Sequence, residues 1–205
     1  MKIPKVVVFD LGKVLVDFDY GISSAKFATK SRCNAGQIRE LIDHAPLLYR
    51  FETGLLTNEQ FYGEVCSTCG FSGSFVEFYE IFADIFTEIH PMTAMHAALR
   101  AHAVPTYIFS NTNGIAVAHI QKKFPFFANF DGYVYSFQQG VMKPDAKIYE
   151  VVENLTGHRG NDIVYLDDRF ENFDAGRIRG WRAFLHKSPD ETIPVLREWG
   201  LPIDA

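Results

Sequence analysis

The sequence predicts an α/β protein: a doubly wound, Rossmann-like parallel sheet with a small helical cap inserted after the first strand. Three observations lead there. Short β-branched or aromatic runs recur along the chain, from residue 104 onward they alternate with helix-like stretches, and between about 18 and 90 the alternation stops. A length of 205 residues suits one domain or one domain with a smaller insert.

The first strand is Val6-Val7-Val8-Phe9, an unbroken apolar run of the kind that both faces of a parallel sheet bury. The insert follows. It holds no convincing strand, and 37–41, 57–65 and 75–86 read as helices, the second opened by the capping box Thr57-Asn58-Glu59-Gln60. Phe75, Phe78, Tyr79, Phe82 and Phe86 keep helical spacing, which suits the insert's own core or, alternatively, a partner surface. A second strand at 104–109 leads to a helix at 114–123, and a third at 133–135 to a helix at 144–156. Pro144 suits the first turn of that helix and Gly157 its end. A fourth strand at 163–166, a helix at 171–179 and a fifth strand at 183–185 come next. The last helix, 189–199, starts from Ser188-Pro189-Asp190-Glu191, which offers an N-cap, a proline at the first helical position and a capping-box glutamate. The expected division is a core of 1–17 and 91–205 around a cap of 18–90.

Twenty Lys and Arg against 25 Asp and Glu leave a formal charge of −5, without the basic field that non-specific nucleic-acid binding needs. A 47% hydrophobic fraction excludes a disordered chain. No apolar run approaches the ~18 residues of a membrane span, and Lys2-Ile3-Pro4-Lys5 leads directly into a strand-like run, so a soluble, cytoplasmic protein is expected. Cys33, Cys66 and Cys69 cannot all pair with one another, and the lone C-S-T-C lacks the second ligand pair that zinc requires. They read as packing residues.

In doubly wound sheets, ligands lie beyond the carboxyl ends of the strands. The first strand ends in Asp10, the second in Ser110-Asn111-Thr112-Asn113 and the fourth in Asp167-Asp168-Arg169, while Lys143-Pro144 opens the helix before the fourth. Any one of these suits a helix cap or a turn; together at one sheet edge they make a site. Carboxylates ~4 Å apart repel by about 4 kcal/mol per pair at an effective dielectric of ~20, so three of them demand a cation. Hard oxygen ligands beside a phosphate select Mg²⁺. A serine hydroxyl, amide donors at a helix start and one lysine seat a phosphate-sized anion. A carboxylate facing a held phosphorus can attack it to give an aspartyl-phosphate.

The order V-V-V-F-D-L-G-K-V-L-V-D, F-S-N-T-N, K-P-D-A-K-I-Y and Y-L-D-D-R-F-E-N resembles the four motifs of the haloacid dehalogenase-like hydrolase superfamily, over nearly the whole chain. The D-L-G and S-N-T-N wording is most similar to the alpha-D-glucose-1-phosphate phosphatase-like branch. The resemblance implies a phosphatase acting on a small phosphorylated metabolite. It makes Asp10 the nucleophile, Ser110 and the Asn111 amide the phosphate seat, and Lys143 the charge holding the two together. Asp10, Asp168 and the Gly12 carbonyl would bind Mg²⁺ directly, Asp167 through water, with Asn172 in support. One departure stands out. Phosphatases of this family commonly carry a second aspartate, a general acid and base, where this chain has Gly12. Such help is typically worth 10²- to 10⁴-fold, so its loss would make the rate depend steeply on leaving-group basicity unless another residue replaces it. Asp17 and Asp19 are nearby but read as turn or hinge residues; His44, Tyr49, Arg50 and Phe51 of the insert could face the site but read first as structural. Gly12 also motivates an alternative, a catalytically weak relative that binds a phosphorylated ligand or a protein partner. A 2-haloacid dehalogenase is disfavoured because that metal-free chemistry would leave Asp167 and Asp168 unneutralised. A phosphomutase is disfavoured by the missing acid.

Overall fold

The structure, a computed structural model, describes residues 3–44 and 46–203, the side chains of Asp43 and His44 excepted. Ala45 and the His44 side chain, in the insert segment expected near the site, therefore lie outside the described residues.

The five expected strands form one sheet: β1 (Val6–Phe9), β4 (Thr106–Ser110), β5 (Gly132–Tyr135), β6 (Ile163–Asp167) and β7 (Arg182–Leu185), in the order β5-β4-β1-β6-β7. Every neighbouring pair is parallel. Side chains alternate between faces. Val7, Phe9, Ile108, Val164 and Leu166 enter one hydrophobic cluster, completed by Met92, Leu99, Ile120 and Leu196 of the covering helices. Val6, Val8, Phe109, Ile163 and Tyr165 enter the other, against Ile148, Tyr149, Val152 and Trp181. Burial on both faces is why these strands read as continuous apolar runs.

The helices of the sheet are α6 (His90–Ala101), α7 (Gly114–Lys123), α8 (Ser136–Gln139), α9 (Ala146–Thr156), α10 (Phe170–Ile178) and α11 (Pro189–Glu198). Gly157 ends α9 in the left-handed conformation, φ +70°, and Ser188 caps α11 by accepting from the Glu191 amide, as the sequence predicts. Pro144 is placed differently. The α9 N-cap is Asp145, whose side chain accepts from the Lys147 amide, so Pro144 precedes the helix in a turn whose Lys143–Pro144 bond is cis.

Between β1 and α6 lies the helical block, α1 (Tyr20–Ala28), α2 (Ala35–Arg39), α3 (Pro46–Glu52), α4 (Asn58–Cys69) and α5 (Phe75–Ala83), with a π-helical turn at Glu40–His44. It has its own apolar centre, in which Phe51 stacks on Phe61 at 4.2 Å, with Phe27, Phe78 and Phe82 around them. Cys33, Cys66 and Cys69 are unpaired; Cys69 is buried within it and Cys33 and Cys66 pack at its margin. The expectation of no strand in 18–90 is corrected. The chain leaves the sheet through β2 (Val16–Phe18) and returns through β3 (Phe86–Glu88), an antiparallel pair with Phe18 opposite Phe86. The predicted helix 75–86 ends at Ala83 because Phe86, although four residues from Phe82, packs into the sheet's cluster next to Phe18. A three-residue strand paired with residues seventy positions away leaves no local periodicity to read. No helix among the described residues is long and apolar enough to cross a membrane.

Candidate active site

The three central strands β4, β1 and β6 end side by side, and their last residues converge. Asp10, the residue after β1, is 7% exposed; its Oδ1 accepts from the Leu11 amide at 2.7 Å and lies 3.1 Å from Lys143 Nζ. Lys143 also donates to Asp167 Oδ2 at 2.6 Å and to the Phe109 carbonyl at 2.9 Å, so its three N–H groups have three acceptors. Burial alone would depress the Lys143 ammonium, but the carboxylates of Asp10 and Asp167 outweigh it and hold the group above its ordinary range.

Asp167 ends β6 and is fully buried. Its two oxygens accept from Lys143, the Tyr165 hydroxyl, the Arg169 amide and the Asn172 side chain. Asp168 follows it, half-buried, its carboxyl pushed up by burial and by the charge of Asp167. One oxygen from each of Asp10, Asp167 and Asp168 lies within 4.8 Å of the others. Three carboxylates then face one ammonium. Burial raises the Asp10 carboxyl to about 7, Lys143 opposing and the two aspartates adding to the rise. The cluster is short of positive charge, and its donors are hard oxygens, so the residues fit a divalent cation such as Mg²⁺.

Asn111 contributes in two ways. Its side chain is committed to the main chain of Lys143, accepting from its N–H at 2.8 Å and donating to its carbonyl at 3.0 Å. This two-way bond fixes the lysine loop against the end of β4. Any seat for an anion at Asn111 is accordingly its backbone amide. Ser110 is buried, its hydroxyl making a long 3.4 Å contact to the Asn111 carbonyl. The Thr112 amide donates to Ser136 Oγ, and Asn113 caps α7 by accepting from the Ala116 amide.

Asp10, Gly12, Asn111, Lys143 and Asp168 line a cavity of about 240 Å³. Ser110 lines an adjoining crevice of about 50 Å³ that shares Gly12 and Asn111. The structure thus brings together all the residues singled out at the strand ends, with Asp167 beneath them. It separates others. Asp17 faces outward, paired with Lys13, and Asp19 caps α1 by accepting from the Gly21 amide. Tyr49 is exposed, Arg50 makes a bidentate pair with Glu64, and Phe51 is buried in the helical block. The cavity is completed from that side by Phe18, Tyr20, Leu48 and Glu52, and from the sheet side by Lys13, Met142, Arg169 and Asn172. One signal could have found two of them. On α3, Leu47 and Phe51 are buried, and Leu48 and Glu52, also four apart, share the neighbouring face.

A family model described as haloacid dehalogenase-like hydrolase matches residues 4–178. Among curated proteins, the sesquiterpene phosphatase astK of Aspergillus oryzae is 24% identical over 183 residues, 86% of either chain. The D-ribitol-5-phosphate phosphatase of Bacteroides thetaiotaomicron is 21% identical over 186 residues, 88% of this chain and 90% of that one. Mouse acyl-CoA dehydrogenase family member 10 is 24% identical over 206 residues, but the chain spans only 19% of its length. The crystal structure of a HAD family enzyme of B. thetaiotaomicron superposes with a TM-score of 0.84 at 21% identity, covering 96% of this chain and 100% of that one. A complex of that enzyme with magnesium and inorganic phosphate gives 0.78 at 22% identity, over 90% and 94% of the two chains. At these identities the structural likeness is one of fold.

Proposed function

Since the chain belongs to the haloacid dehalogenase-like hydrolases, we propose that it is a Mg²⁺-dependent phosphatase of a small phosphomonoester, working through an aspartyl-phosphate on Asp10. The observation that carries this reading is the buried Asp10 carboxylate held 3.1 Å from Lys143 and beside Asp167 and Asp168. The Leu11 amide and Lys143 both bind Asp10 Oδ1, and neither contact uses Oδ2, which is left to attack phosphorus. Ser110 Oγ and the Asn111 amide seat the phosphoryl oxygens, the Lys143 charge holds them beside Asp10, and water then releases phosphate from Asp10. Asp10, Asp168 and the Gly12 carbonyl would hold Mg²⁺ directly and Asp167 through water, and the ion would supply the positive charge that neutralises the carboxylates and the phosphoryl group. Residues 18–90 serve as a cap domain over a core of 1–17 and 91–205. The names of the two phosphatase relatives support the substrate class, an organic phosphate.

The test is phosphate release from sugar phosphates, nucleotides and aryl phosphates, with Mg²⁺ and then in excess chelator, for the protein and for Asp10→Asn. Release that needs Mg²⁺ and falls at least a thousandfold in Asp10→Asn is expected, a barrier increase of about 4 kcal/mol. More than a tenth of the activity in the variant sinks the covalent route. Absence of release, with a phosphorylated ligand still bound, favours the weak-relative reading that Gly12 motivates.

A further inference from the structure

We propose that Glu52, at the end of α3, is the general acid and base that this chain lacks at position 12; the assignment rests on the phosphatase reading. Gly12 itself has no room for the missing group. A Cβ built there meets Phe18 Cε1 at 2.8 Å, so the Phe18 ring fills the space into which a side chain would project. Asp17 and Asp19 do not line the 240 Å³ cavity, and the carboxylates that do are Asp10, Asp168 and Glu52. Asp10 is the nucleophile and Asp168 belongs to the metal. Glu52 is the one that approaches from the cap side, where the leaving group must lie once the phosphoryl group is seated on β1 and β4. It lines both the main cavity and the crevice beside Ser110, half-buried.

Glu52 is also held in place. Its main-chain carbonyl accepts from Ser136 Oγ at 2.6 Å, and the same hydroxyl accepts from the Thr112 amide at 2.9 Å, next to the phosphate seat. Two residues on, Gly54 (φ +72°) lies so close to the core that a Cβ would stand 2.2 Å from the Phe137 carbonyl oxygen. The segment is docked on the sheet domain at two points, and Glu52 shares the lining of both spaces with Gly12 and Asn111.

The step balances. As an Asp10 oxygen bonds to phosphorus, the bond from phosphorus to the ester oxygen breaks and that oxygen takes the proton of Glu52, leaving a carboxylate. The Glu52 carboxylate then takes a proton from water as its oxygen bonds to phosphorus and the bond to Asp10 breaks, restoring both side chains and releasing phosphate. The expectation from Gly12 is thereby reversed: wild-type rates should vary little with leaving-group basicity.

The test is single-turnover phosphate release from aryl phosphates ranging from dinitrophenyl to phenyl, with one alkyl phosphate, for wild type and Glu52→Gln. Expected are a shallow wild-type plot of log rate against leaving-group pKa and a steep one for Glu52→Gln. The loss should be about 10²- to 10⁴-fold for phenyl and alkyl phosphates and under tenfold for dinitrophenyl phosphate. Equal losses across the series, or an unchanged slope, would assign Glu52 a binding or structural role and overturn the proposal while leaving the phosphatase reading intact. No release by wild type from any ester would remove the phosphatase reading and this one with it. Should Glu52→Gln fail to fold, Glu52→Asp separates the same outcomes: slower than wild type with a slope still shallow supports the proposal, and an unchanged rate overturns it.

Discussion

Asp167 and Asp168 are adjacent in sequence and similar in chemistry, yet their surroundings give them different work. Asp167 is fully buried and its oxygens receive Lys143, Tyr165, the Arg169 amide and Asn172. Removing it takes one of the two carboxylates that Lys143 pairs with and the acceptor of the buried Tyr165 hydroxyl and Asn172 amide, and breaking a buried pair from one side costs about 3–5 kcal/mol. Asp168 is half-buried and held above its usual range by burial and by Asp167, so deleting it relieves repulsion in the metal-free protein. Asp167→Ala should therefore lower the urea midpoint by the equivalent of about 3 kcal/mol and displace Lys143. Asp168→Ala should keep its midpoint and raise the Mg²⁺ needed for activity. Equal destabilisation of the two would show that the burial difference carries no energetic weight. That both residues belong to one site was legible from the strand they follow; that one of them anchors the lysine was not, because its partners come from residues 143, 165, 169 and 172.

Among elements, α3 does the most that local signals hide. Its Leu47 and Phe51 bind it to the helical block, its last carbonyl accepts from the Ser136 hydroxyl, and the turn after it is pressed onto the Phe137 carbonyl. Gly54→Ala would add a left-handed non-glycine residue, costing about 1–2 kcal/mol, and would also drive a Cβ into a carbonyl. Gly157→Ala is the control, with φ +70° and nothing within 4 Å of its Cβ. Gly54→Ala should destabilise more than Gly157→Ala and should also lower kcat/KM, because Glu52 leaves its place; equal thermal shifts and unchanged kinetics would mean the docking contact has no consequence. The sheet strands were legible because each is a run buried on both faces, and the helix ends at Gly157 and Ser188 because their caps are local. The pair β2 and β3, the placement of Pro144 before α9 and the orientation of α3 were not. Each depends on a distant partner: Phe18 for Phe86, Asn111 for Lys143, Ser136 for Glu52.

For the whole molecule, the helical block meets the sheet along α7. Ile115 of α7 is buried in the helical block's cluster, and Lys123, at the other end of α7, pairs with Asp84 beyond α5. The carboxylate cluster lies at the sheet end from which α7 begins, with Asp10 pushed up to about 7 by its burial. Folding without a cation thus has to bring like charges together, and a cation that binds only the folded site stabilises by RT ln(1 + [L]/Kd). At a hundred times Kd this is about 2.7 kcal/mol, and in a chain of this length about 2–4 °C per kcal/mol makes it a rise of roughly 5–11 °C in Tm. Mg²⁺ added to chelator-stripped protein should produce that shift without substrate, and Asp168→Ala should reduce it to near zero while its own metal-free Tm stays at or above wild type. Na⁺ at matched ionic strength should do little, since screening acts on exposed charges more than on a cluster this buried. A Tm that ignores Mg²⁺ in the wild-type protein would mean that the three carboxylates are balanced from within, and the metal assignment would then fail independently of any assay of turnover.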